Sequence, residues 1–99
     1  MSSNKVRLVV TQIAQEGKAE QLGDLLRGLI APTRQESGCL RYELWQNEDN
    51  KHEFRFIEEW ESSEALDAHL EKPYIKNALS QLPGLLAEKP DFRKYQTVE

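Results

Sequence analysis

The chain has 99 residues, of which 38% are hydrophobic and 30% charged, which is enough for one compact domain with a small core and little margin. A net charge of −4, with no basic cluster, zinc-finger spacing or RNA-binding aromatic motif, excludes an electrostatic nucleic-acid binder. No apolar run is long enough to span a bilayer.

The opening MSSNKVRLVV turns strand-like at once and does not read as a signal peptide. Val6–Ala14 is rich in β-branched residues, with Val6, Leu8 and Val10 on one face and Val9 and Ile13 on or near the other, so neither face is freely exposed to water. Glu16-Gly17 breaks the strand. From Lys18 to about Glu36 the period becomes helical, with Leu22, Leu25, Leu26, Leu29 and Ile30 in one stripe. Pro32 predicts a kink near Gly28–Ile30, and Ser37-Gly38 predicts a helix stop with a left-handed glycine.

CLRYELWQ (Cys39–Gln46) alternates, placing Leu40, Tyr42 and Leu44 against Arg41, Glu43 and Trp45. NEDN is a turn by composition. In Glu53–Trp60 the residues Phe54, Phe56, Glu58 and Trp60 share one face, and the two runs form an antiparallel hairpin. Ser62 or Ser63 can cap a helix carrying Ala65, Leu66, His69 and Leu70, and Pro73 opens another with Ile75, Ala78, Leu79 and Leu82 inward. A last strand, Asp91–Val98, brings Phe92, Tyr95 and Val98.

The order β-α-β-β-α-β across residues 1–99 predicts a single α+β domain. It is ferredoxin-like, with a four-stranded antiparallel sheet and helices on one face. The other face, carrying Val9, Ile13, Trp45 and Ile57 or else the opposite set, is expected to be apolar and covered by a second copy about a two-fold axis. The single Cys39 cannot form an internal disulfide, which suits a reducing cytoplasm, and it reads as a small apolar filler.

His69 sits on the inward half of its helix, as a core-edge residue or as a general base facing a cavity. Trp60, Phe54 and Phe56 are core or the walls of a pocket for a flat ligand. Glu58, between two aromatics, requires a partner such as Arg41 or Arg93, or a cavity. His52 and His69 are the only histidines and neither has a second ligand at metal spacing. No glycine-rich phosphate loop and no G-x-S-x-G serine is present.

GCLRYEL (Gly38–Leu44), FIEEWES (Phe56–Ser62) and ALDAHLEKPYIK (Ala65–Lys76) resemble the antibiotic biosynthesis monooxygenase family, and within it the quinol monooxygenase type. The resemblance extends to the opening strand and to APTRQESGC. It implies a dimeric α/β barrel with a pocket between each sheet and its own helices. It also implies oxidation of a quinol, anthrone or related phenol by O2 without metal, flavin or haem. On that likeness His69 is the catalytic residue, and Trp60, Phe54 and Phe56 are pocket wall. Tyr42, Glu58 and Tyr74 are further substrate contacts, Tyr74 standing where many members carry histidine. The haem-degrading branch uses an asparagine in the first strand, where this chain has LVV. Two other functions stay open at this point. One is an isomerase or other proton-transfer enzyme on a small carbonyl compound, which needs Arg41, Lys76 or Arg93 in the pocket. The other is a non-catalytic dimeric binding module.

Overall fold

Four strands, β1 (Val6–Ile13), β2 (Cys39–Gln46), β3 (Glu53–Trp60) and β4 (Asp91–Tyr95), pair in the order β2-β3-β1-β4, with every neighbouring pair antiparallel. This is the ferredoxin-like arrangement predicted by the alternating runs. The computed structural model describes residues 5–99. Met1–Asn4, part of the opening that was expected not to be a signal peptide, lie outside the described residues.

Helices α1 (Ala19–Arg27), α2 (Ile30–Arg34), α3 (Ser63–Leu70) and α4 (Pro73–Gln81) follow, the last running into a 3-10 turn at Leu82–Gly84. Leu22 and Leu26 of α1 and Leu66 of α3 join Leu8, Val10, Tyr42, Phe54, Phe56 and Trp60 of the sheet in one buried cluster. That cluster is the core, and burying it is the main term holding the domain together.

The expected kink near Gly28–Ile30 is a full break between α1 and α2, closed by short-range bonds such as Leu29 N–H to Leu26 O at 3.1 Å. Pro32 falls in the first turn of α2, where its missing N–H costs no helical bond. The left-handed cap expected at Gly38 is absent. Among the described residues only Gly17 has a positive φ, at 79°. Gly38 serves close approach instead, because a methyl group there would overlap the side chain of Ala65 on α3.

Leu40 does not share a buried face with Tyr42. A bulge between Cys39 and Arg41 makes Leu40 the extra residue, and it turns outward while Cys39 and Tyr42 both face the helices. The last strand ends at Tyr95, leaving Val98 exposed beyond it.

The outer sheet face holds Val9, Ile13, Ile57 and Trp45 as expected, but it is not apolar throughout. Ion pairs Arg7–Glu59 (2.9 Å), Arg41–Glu43 (3.0 Å), Arg55–Glu53 (2.9 Å) and Arg93–Asp91 (2.7 Å) run among them. Among the described residues no helix is long and apolar enough to cross a membrane.

Candidate active site

Alternation along β3 points Phe56, Glu58 and Trp60 at the helices, and Ser62 then starts α3 by accepting a hydrogen bond from Ala65 N–H at 3.1 Å. Because that cap fixes where the helix begins, His69 comes round onto the inner side, nearly two turns later and 3% exposed. Its ring lies 4.6 Å from Trp60, tilted by 38°, and meets Tyr42 edge-on at 5.8 Å. Tyr42 stacks on Phe56 at 4.6 Å. The imidazole is therefore held by aromatic rings on two sides.

The third restraint comes from Glu36, in the turn between α2 and β2. His69 Nδ1 lies 2.9 Å from Glu36 Oε2, and the same oxygen accepts from the Tyr74 hydroxyl, which is 3.2 Å from Thr33 Oγ1. A carboxylate only accepts, so the bond places the proton of a neutral imidazole on Nδ1. Nε2 is then an open acceptor. This is the orienting relation of carboxylate to histidine found in the Ser-His-Asp triad, where the histidine serves as a base.

Glu58 is 6% exposed and takes the Trp60 indole N–H on Oε1 at 2.8 Å. No arginine reaches it. Arg41 is bound to Glu43 and Arg93 to Asp91 on the outer surface. Burial pushes the Glu58 carboxyl up to about 7, only partly offset by the indole hydrogen bond, and the charge of Glu36 adds to the rise. Glu58 thus exchanges a proton near neutrality. Burial first, and then the Glu58 charge, raise the Tyr42 hydroxyl, so it stays a donor. The Cys39 thiol is raised by burial and by Glu36 and Glu58, which opposes thiolate formation.

His69, Glu58, Tyr42 and Phe56 line a mostly apolar cavity between the sheet and α1, α3 and α4, closed elsewhere by residues such as Leu8, Val10 and Ile75. The half-exposed Phe92 and Leu79 also border it, so it opens beside β4. It encloses about 50 Å³, room for about four waters at roughly 10–15 Å³ each.

Three predicted contacts stand elsewhere. Trp60 is fully buried behind His69 and does not line the cavity. Phe54 packs towards Gly23 of α1. Tyr74 braces Glu36. Phe54 and Trp60 share the strand face of Phe56 without lining the cavity, because a shared strand face fixes direction and not depth.

Lys76 is exposed and paired with Glu71 at 2.8 Å. None of the basic groups needed by an isomerase of an anionic substrate borders the cavity. Glu36 and Gln12 are the lining or bracing residues that sequence reading missed. Glu36 lies in a turn with no periodicity, whereas Gln12 was signalled by its register with Leu8 and Val10.

Residues 6–81 match the family model described as antibiotic biosynthesis monooxygenase. The uncharacterized protein sll1783 of Synechocystis is 33% identical over 82 residues, 83% of this chain. Rv0793 of Mycobacterium tuberculosis is 39% identical over 62 residues, 63% of this chain. The matched stretches span 56% and 60% of those two proteins' own lengths. In structure, PA3566 from Pseudomonas aeruginosa superposes over 100% of this chain and 99% of its own, with a TM-score of 0.92 and 31% identity. Rv0793 superposes over 96% of both chains, with a TM-score of 0.89 and 27% identity.

Proposed function

The chain belongs to the antibiotic biosynthesis monooxygenase family, and on that premise we propose that it oxidises a quinol, anthrone or related phenol with O2, using no metal, flavin or haem. The observation that carries this reading is the Glu36–His69 pair opening onto an apolar cavity that also holds Glu58.

His69 Nε2 takes the hydroxyl proton of the substrate, and Glu36 compensates the imidazolium that forms. The resulting anion is electron-rich enough to reduce O2, and the cavity holds both reactants together away from bulk water. One oxygen atom joins the substrate carbon. The other leaves as water with the two hydrogens the substrate gives up, and the substrate supplies all four electrons, two with those hydrogens and two in its new bond to oxygen. Glu58 in its protonated form delivers a proton as the O–O bond breaks, and Tyr42 donates to the substrate oxygen. Phe56 forms the flat wall.

The protein works as a homodimer through the outer sheet face. Val9, Ile13, Ile57 and Trp45 supply apolar contact there, and the surrounding ion pairs set register.

Oxygen uptake by metal-stripped protein over a panel of hydroquinones, naphthols and anthrones tests the reading. Turnover above the spontaneous rate for one class, abolished in His69→Ala, is expected. No such turnover, with binding retained, would make the protein a binding module.

A further inference from the structure

Gln12 is 4% exposed, lies on the inner side of β1 and lines the same cavity. Its Oε1 is the only buried side-chain nitrogen or oxygen among the described residues without a hydrogen-bond partner. A buried amide oxygen left empty in apolar surroundings carries a cost that a native site sustains when something else fills it.

Register places it. Leu8 pairs with Glu58, which in turn faces Tyr42 on β2, so the acid–base groups occupy one rung of the sheet. Gln12 pairs with Phe54, four residues further along β1, a separation of about 13 Å at ~3.3 Å per residue. The rung between them is apolar, with Phe56 opposite Val10 and Val10 opposite Phe92. A lone water on Gln12 would want two to four polar partners, and the cavity's other polar side chains, Tyr42, Glu58 and His69, lie away from this end. On the Gln12 rung, Gln46 already donates to Lys51 O at 2.9 Å.

We propose that Gln12 is a specificity-determining residue. Its Oε1 accepts a hydrogen bond from a second donor at the far end of the ligand, so the cavity selects flat molecules bearing a hydroxyl at each end. The inference rests on the cavity being the substrate site, and it deepens that reading.

Dissociation constants measured without O2, by tryptophan fluorescence quenching, test binding apart from oxidation. The ligands are 1,4-dihydroxynaphthalene, 1-naphthol and 4-methoxy-1-naphthol, against the intact chain and Gln12→Leu. The native protein is expected to bind the diol at least tenfold more tightly than either analogue, since each lacks the second donor. Gln12→Leu should bring the three within about twofold of one another. Its ligand-free melting temperature should hold or rise, because the orphaned acceptor is gone. Gln12→Met gives the same comparison should the leucine variant fold poorly. A native protein that does not favour the diol, or a preference that persists in the Gln12 variants, overturns the proposal. Failure to consume O2 with the diol preference intact would overturn the monooxygenase reading and leave this one standing.

Discussion

At the scale of single residues, the site depends on two carboxyls with different tasks. In the proposed mechanism Glu36 orients His69, and Glu58 exchanges a proton. Glu36→Gln keeps an acceptor for Nδ1–H but leaves the developing imidazolium uncompensated. It should therefore lower kcat roughly tenfold or more with little change in KM, against about 10²–10⁴-fold for His69→Ala. Steady-state kinetics of both variants check this. Glu58 makes a prediction about stability. Its carboxyl is raised from the ordinary 4.5 to about 7 by burial, so between those values the folded state holds a proton that the unfolded chain has released. Stability must then fall as pH rises through that window, by about 3 kcal/mol in all. Urea unfolding at pH 5 and pH 8 should show the loss in the native protein and not in Glu58→Gln. Equal slopes in the two would mean that Glu58 is ionised at little cost. The inward facing of His69, Glu58 and Trp60 was legible in the sequence because their spacing is local, but only His69 and Glu58 line the cavity. Glu36 was not legible, because its partner lies 33 residues on and only the tertiary fold joins them.

At the scale of elements, the meeting of β2 with α3 sets where His69 sits. Gly38 lets the helix press on the strand beside Ala65, and Glu61 N–H donates to Gly38 O at 2.8 Å across the same junction. Gly38→Ala should cost about 1–3 kcal/mol by overpacking and move α3, and with it His69. Replacing Ala65 by glycine in the same chain should restore much of the loss. Chemical denaturation of the three variants tests this, and additive losses would rule out the contact as the cause. Strand alternation and the Ser62 cap were legible because each is a short-range signal. The Leu40 bulge was not, since CLRYELWQ alternates straight through it and only pairing with Trp60 and Glu59 exposes the extra residue. A glycine needed for close approach likewise looks the same in sequence as one needed for a turn.

At the scale of the whole molecule, the β-α-β-β-α-β order followed from periodicity alone, and the sheet order and antiparallel pairing agree with it. Cavity depth did not follow. Phe54, Phe56 and Trp60 share a face, yet only Phe56 reaches the cavity, because α1 covers one end of the sheet and α3 the other. The outer face, mixed in character, belongs to the proposed dimer. Light scattering should give twice the chain mass, and Ile57→Asp with Val9→Asp should halve it; a native monomer would contradict the pairing. The chemistry is tested most directly by a single turnover of metal-free protein with a quinol under ¹⁸O₂. One labelled oxygen per molecule of product, with the second recovered as water and both lost in His69→Ala, is the predicted result. Unlabelled quinone with the O2 returned as hydrogen peroxide, or no product beyond the spontaneous rate, would contradict a monooxygenase.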